Sequence, residues 1–133
     1  AACHDATTPY TGVPLADKIL CDVPCSGLGI IRKKPEIRFK NPDEIQTLPE
    51  IQAKILANCA QYVKKGGTLV YSTCTILQRE NEDVVRAFLT ENPEFEAVSW
   101  THPVCGERAD GMVTLLPPVH NTDGFFIAKM YRK

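Results

Sequence analysis

Two cysteines lie where turns of the chain could present them: Cys25 in Asp22-Val-Pro-Cys-Ser-Gly-Leu-Gly29, and Cys74 in Tyr71-Ser-Thr-Cys-Thr75. A thiol attacks as its thiolate, and an accessible loop near positive charge favours that form. Positive charge is close by in sequence. Arg32, Lys33, Lys34, Arg38 and Lys40 place five of the chain's 15 Lys and Arg within nine positions, against the single acid Glu36. A sulfur nucleophile suits a substrate atom that stays inert until something adds beside it. Carbon 5 of cytosine is such an atom, because addition of sulfur at carbon 6 makes it enamine-like. That chemistry also needs a base for the carbon 5 proton and a way for the sulfur to leave. An acidic group near the ring would stabilise the adduct, and Asp22 is available for that or for holding a cofactor.

Each residue also has an ordinary reading. An isolated cysteine in an α/β core is usually a small apolar filler, and Cys3, Cys21, Cys59 and Cys105 are assigned that role. Asp22 alone could cap a turn, and Pro24, Gly27 and Gly29 could be loop punctuation. A basic run is by default a solvated loop. Tyr71 and Phe39 are expected to be packing residues, and His4, His102 and His120 carry no signal.

For the two thiols to meet, two loops must leave one edge of a sheet. Residues 17–23 form a short apolar run ended by Pro24 and read as a buried strand. Pro35 and Pro42 argue against a long helix in the basic segment. Residues 48–65 carry Leu48, Ile51, Ile55, Leu56, Cys59, Tyr62 and Val63 at helical spacing, with Thr47 as cap and Gly66 at the left-handed end. Residues 68–73 read as a strand, residues 80–91 as a second helix stopped by Asn92-Pro93, and residues 95–100, 113–116 and 125–131 as strands. The order predicts an α/β fold, a mostly parallel sheet with an antiparallel finish. In such sheets, chemistry collects at loops leaving the carboxyl ends of strands. Asp22-Val-Pro-Cys25 and Ser72-Thr-Cys-Thr75 are two of them. If their strands are neighbours, the thiols lie within a few side-chain lengths.

Composition narrows the classes. A chain of 133 residues allows one domain, and 44% hydrophobic with 23% charged residues is ordinary for a globular protein. The net charge of −1 excludes a globally basic nucleic-acid binder but not a local patch. No apolar run approaches the roughly 20 residues that cross a bilayer, so no membrane association is expected. The six cysteines form no CxxC pair, and the histidines pair with none of them at useful spacing. Neither a disulfide scaffold nor a metal site is expected; reduced thiols and a cytoplasmic location are. The chain opens without an initiator methionine and reads as a piece of something longer.

Taken together, DVPCSGLG (Asp22 to Gly29) and YSTCT (Tyr71 to Thr75) resemble two signature motifs of the RNA cytosine-5 methyltransferases, the RsmB/Sun (Fmu) and NOP2/NSUN superfamily. A Pro-Cys loop followed about 50 residues later by a Thr-Cys loop is a specific pairing. Gly29 to Arg38 resembles the family's basic loop. Gly66 to Tyr71 resembles its lead into the second motif, and Gln78-Arg-Glu-Asn-Glu82 the helix start that follows. Leu115-Leu-Pro117 and Asp123 to Lys129 resemble its C-terminal strands. The likeness covers nearly the whole chain and is nearest to the bacterial small-subunit rRNA branch.

The resemblance implies a partial class I, Rossmann-like methyltransferase fold, with residues 1–133 the C-terminal portion of the catalytic domain. It implies S-adenosylmethionine as cofactor and RNA, small-subunit rRNA, as partner. Cys74 matches the nucleophile and Cys25 the second cysteine, associated with resolving the covalent adduct. Asp22 matches the acidic residue at the methyl-donor and cytosine site. Asp5 resembles the aspartate that ends the preceding strand near the adenine. The family's Gly-rich cofactor loop should precede Asp5, so the chain alone is expected to bind cofactor poorly and not to turn over. A flipped-out base and splayed RNA suit this chemistry. Arg32, Lys33, Lys34, Arg38 and Lys40 are then candidate phosphate contacts. Two alternatives stay open: an amino-directed methyltransferase, which needs no cysteine, and a non-catalytic RNA-binding or assembly module keeping the fold.

Overall fold

The structure, a computed structural model, describes residues 2–133. The run Asp17-Lys-Ile-Leu-Cys-Asp22 alternates sides, with Cys21 buried and Leu20 68% exposed, and forms β1 (Ala16–Asp22). The β-branched and aromatic run ending at Thr73 forms β2 (Val63–Thr73). The two are parallel neighbours with Asp22 opposite Ser72. The helix α1 (Pro42–Ala60) makes the crossover that a parallel pair requires. Then follow α2 (Glu82–Glu91), β3 (Phe95–Ala97), β4 (Trp100–His102), β5 (Gly106–Arg108), β6 (Met112–Leu115), α3 (Pro117–His120) and β7 (Phe125–Arg132).

β7 runs antiparallel to β2, and both β3 and β6 pair with β7, at opposite ends of it. Hence β1, β2, β3 and β6 share one direction and β7 alone opposes them, the mixed sheet expected from the element order. β4 and β5 form a separate hairpin. The core lies between the sheet and the helices α1 and α2. Leu56, Val63, Leu69, Tyr71, Val85, Phe126 and Met130 are fully buried there. Burial of each such side chain stabilises by about 1.5–3 kcal/mol, so the strand ends that carry the cysteine loops are rigidly seated. No helix among the described residues is long and apolar enough to cross a membrane.

Several boundaries differ from expectation. The first helix begins at Pro42, not near residue 48. Asn41 caps it, its side chain accepting from the Asp43 amide at 3.0 Å, and Pro42 fits the first turn because its missing N–H removes no bond within the helix. Thr47 is therefore inside the helix, where its hydroxyl donates to the Glu44 carbonyl at 2.9 Å. Gly66 has the expected positive φ of 78°, but it lies in an irregular stretch of β2, where β2 advances from Val63 to Thr68 while β1 advances from Ala16 to Lys18. The second helix starts at Glu82 after a 3-10 turn over Gln78–Glu80. The span expected as one strand over 95–100 is split between β3 and β4. Phe39 is no packing residue: it is 83% exposed, held out by the short 3-10 turn Pro35–Phe39, whose buried position is taken by Ile37.

Candidate active site

β1 and β2 end side by side, so the loops leaving them start a strand spacing apart. The Val23 amide donates to the Ser72 carbonyl at 3.2 Å, extending the ladder to the mouth of the first loop. The chain then turns at Pro24, and Cys25 meets Cys74: their Sγ atoms are 3.2 Å apart. Both thiols face a cleft of about 390 Å³, whose other walls are Gly27, Ile30 and Ile37 and the charged side chains of Lys34, Glu36 and Lys40. Burial and then the hydrogen bond with Cys74 push the Cys25 thiol up to about 12. It keeps its proton at neutral pH.

Backbone contacts close the loops on each other. The Gly29 amide donates to the Cys74 carbonyl at 3.0 Å, and the Gly124 amide donates to the Gly29 carbonyl at 2.8 Å. A Cβ on Gly29 would stand 2.1 Å from the Gly124 carbonyl oxygen and 2.8 Å from that of Cys74. Glycine is required by this three-way backbone crossing. Beneath the thiols, the hydroxyls of Ser26 and Thr75 share a buried hydrogen bond of 2.7 Å. Away from the cleft, the neighbouring Cys59 thiol and then burial push the buried Cys21 thiol up.

The basic cluster divides. Lys34 and Lys40 reach the cleft. Lys40 donates to the carbonyls of Ser26 at 2.9 Å and Cys25 at 3.4 Å, tying the basic segment to the first cysteine loop. Arg32 and Lys33 turn instead to Asp123, at 3.9 and 2.5 Å. The Arg38 guanidinium lies over the Phe39 ring. Glu36 lines the cleft and was not singled out in sequence. Nothing in a one-acid basic run marks that acid as cleft-facing.

Asp22 sits at the tip of β1 with one carboxylate oxygen accepting from the Ser72 hydroxyl at 2.7 Å. Its other oxygen bonds nothing among the described residues. An acceptor left free at the carboxyl end of a strand fits a polar group of a cofactor or base. Asp5 is placed differently from expectation. It ends no strand: residues 2–15 contain none. Its carboxylate accepts from the Thr7 amide at 2.9 Å and the Thr7 hydroxyl at 2.8 Å, a local turn that competes with extended pairing. Those bonds, the amide first, hold its carboxyl below the usual range. The turn is fastened to α1, where Asn58 donates to the Ala6 and Thr8 carbonyls.

A mixed sheet with one reversed strand and paired loops at its carboxyl edge is that of Rossmann-like methyltransferases. NSun6 from Pyrococcus horikoshii, solved with SFG, matches with a TM-score of 0.76 and 29% identity, over 90% of this chain and 30% of its own. The chain belongs to the family described as 16S rRNA methyltransferase RsmB/F, whose model matches residues 2–131. A probable ribosomal RNA small subunit methyltransferase B of Bacillus subtilis is 47% identical over 123 residues, 88% of this chain and 28% of that protein. Its counterpart in Synechocystis is 43% identical over 133 residues, 95% of this chain and 30% of the relative. The chain thus spans less than a third of the length of either of these two relatives.

Proposed function

We propose that this chain is the cysteine-bearing part of an S-adenosylmethionine-dependent enzyme that methylates carbon 5 of a cytosine in small-subunit ribosomal RNA, in the cytoplasm. The observation that carries the reading is the contact of Cys25 and Cys74, 3.2 Å apart at one cleft. Family membership and the names of the relatives support the rRNA methyltransferase class. SFG, an analogue of S-adenosylmethionine, in a structural neighbour supports the cofactor.

Cys74, having given up its proton, adds as the thiolate through Sγ to carbon 6 of a base turned out of its stack, and the ring electrons shift to carbon 5. When bound, S-adenosylmethionine would supply an electrophilic methyl group, its sulfur keeping the electron pair of the broken S–C bond and leaving as the neutral thioether. Carbon 5 takes the methyl group, a base removes the carbon 5 proton, and the electron pair of that C–H bond re-forms the 5,6 double bond as the carbon–sulfur bond breaks. Cys25, protonated and in contact with Cys74, resolves the adduct and releases product. Asp22, with one oxygen free beside its bond from Ser72, would hold a polar group of the donor or of the cytosine. Lys34 and its basic neighbours meet RNA phosphates.

The test uses the full-length protein, small-subunit rRNA and S-adenosylmethionine. A Cys25→Ala variant should accumulate a protein–RNA complex that survives denaturing electrophoresis. The Cys25→Ala/Cys74→Ala double variant should not. Absence of the complex in the single variant, or its persistence in the double one, would overturn the reading and favour chemistry without a cysteine nucleophile.

A further inference from the structure

The two cysteine loops come from different strands and touch directly through Gly29 and Cys74 and through Ser26 and Thr75, and a further buried set of contacts grips both from the segment that follows β2. Two adjacent buried residues, Glu80 and Asn81, reach both. Glu80 is fully buried, and its Oε2 accepts from the Ser26 amide at 2.9 Å, the residue after Cys25. The same oxygen accepts from Gln52 Nε2 at 2.9 Å, and that amide also donates to the Pro24 carbonyl at 3.0 Å, the residue before Cys25. Asn81, equally buried, does the same for the other loop. Its Oδ1 accepts from the Thr73 hydroxyl at 2.6 Å and its Nδ2 donates to the Thr75 carbonyl at 3.1 Å, the residues on either side of Cys74. The segment itself is fixed by Tyr71, whose hydroxyl donates to the Glu80 carbonyl at 2.6 Å.

This arrangement is poor as a stabilising device. Glu80 Oε1 and Gln52 Oε1 are buried without partners, and an unpaired buried oxygen is destabilising compared with an apolar side chain of equal volume. What the polar pair achieves, and an apolar pair cannot, is a directional grip on the Ser26 amide beside one sulfur and on the Thr73 hydroxyl and Thr75 carbonyl beside the other. We infer that Glu80 and Asn81 are positioning residues, a two-residue clamp that holds the Cys25 and Cys74 loops in register and so sets the contact between their sulfurs. The inference rests on the proposed cytosine chemistry only for its consequence in turnover, a fall in kcat with KM held. The sulfur contact itself can be measured with no substrate present.

The measurement is the equilibrium between the Cys25–Cys74 dithiol and its disulfide in a glutathione buffer, on the full-length protein, with the linkage mapped by mass spectrometry after acid quench. Oxidised glutathione accepts two electrons and two protons, giving two reduced glutathiones for each disulfide formed. The constant reports the effective concentration of one thiol at the other, which falls steeply when two groups lose their mutual placement. Glu80→Ala and Asn81→Ala should each lower it by about tenfold or more. Val85→Ala, on α2 in the core, is the control for general destabilisation and should stay within about twofold of the parent. Thr73→Val deletes the hydroxyl that donates to Asn81 at 2.6 Å, and with it a long 3.4 Å contact from the Thr75 amide; it should lower the constant by roughly threefold and serves where an alanine variant does not fold. Constants unchanged in the folded Glu80 and Asn81 variants, or in Thr73→Val where those do not fold, would overturn the inference, as would a Val85→Ala loss as large as theirs.

Discussion

The hydroxyls of Ser26 and Thr75 share a 2.7 Å hydrogen bond one residue along the chain from thiols that are 3.2 Å apart. Side chains of the two loops thus meet twice, once through a buried pair of oxygens and once through a pair of sulfurs at a cleft. The inner contact is fully buried and the outer one is not. The sulfurs can therefore be addressed chemically while the loops stay in place.

Cys25 should be slow to alkylate. With its thiol pushed up to about 12, its thiolate at pH 8 is about a thousandfold scarcer than that of an ordinary exposed cysteine, offset about tenfold by greater nucleophilicity. Iodoacetamide labelling followed peptide by peptide should show it reacting roughly a hundredfold slower than the exposed Cys3, with the rate still climbing above pH 10. Because the folded value lies above the ordinary 9.0, the folded state holds a proton that the unfolded chain releases between about pH 9 and pH 12. Stability should fall as pH rises through that window. A Cys25 rate that levels off below pH 9 would contradict the burial that the structure gives this thiol.

Gly29→Ala should destabilise by about 2–4 kcal/mol. The new methyl group meets backbone on two sides, the Gly124 and Cys74 carbonyls, and neither can swing away as a side chain would. Urea unfolding measures the loss. Gly12→Ala is the contrast: its Cβ would meet nothing within 4 Å, although its φ of 88° still carries strain. A Gly29 variant no weaker than the Gly12 variant would show that the crossing can relax.

The meeting of the thiols was legible because it depends on few things: two apolar runs, their parallel pairing, and a cysteine just past each strand. The reversed last strand followed from strands spaced too closely for crossover helices. What could not be read was anything set by side chains far apart in sequence. Asp123 pairs with Arg32 and Lys33 across 90 positions, and no local pattern marks it. Glu80 looks like an ordinary acid at a helix start, the position where the macrodipole favours one, yet it faces inward to Ser26. The start of α1 differs from expectation because Pro42 reads as a breaker in sequence, whereas it occupies the first turn of the helix. Asp5 was assigned to a strand end from a short match, and its bonds to Thr7 make a turn instead.

The basic cluster should not act as one unit on RNA. Lys34 faces the cleft with no ion-pair partner among the described residues, while Lys33 is paired with Asp123 at 2.5 Å. Under the proposed RNA reading, Lys34→Ala should weaken binding by the full protein and reduce the salt slope by about 0.7, one single-strand phosphate contact. Lys33→Ala should do less. Asp123→Asn, which frees Arg32 and Lys33, should tighten binding and steepen the slope. Salt-titrated binding decides it, and equal losses from Lys33→Ala and Lys34→Ala would remove Asp123 from any competing role.

Phe39 offers the sharpest separation of stability from binding. An aromatic side chain 83% exposed contributes little to the fold, and its ring is backed on one side by the Arg38 guanidinium, 5.7 Å from the centroid. It sits one residue from Lys40, which ties this segment to the Cys25 loop. A base stacked on such a ring gains about 1–3 kcal/mol whatever its identity, and the cation behind the ring adds to it. Phe39→Ala should therefore leave the unfolding free energy within about 0.5 kcal/mol of the parent. The same variant should lower affinity for single-stranded RNA by about 5- to 100-fold, with the salt slope unchanged because no phosphate contact is lost. Phe39→Trp should restore the affinity. A stability loss well above that bound would mean that the ring packs against the protein after all. Unchanged affinity together with unchanged stability would leave the exposed ring without a role in holding RNA.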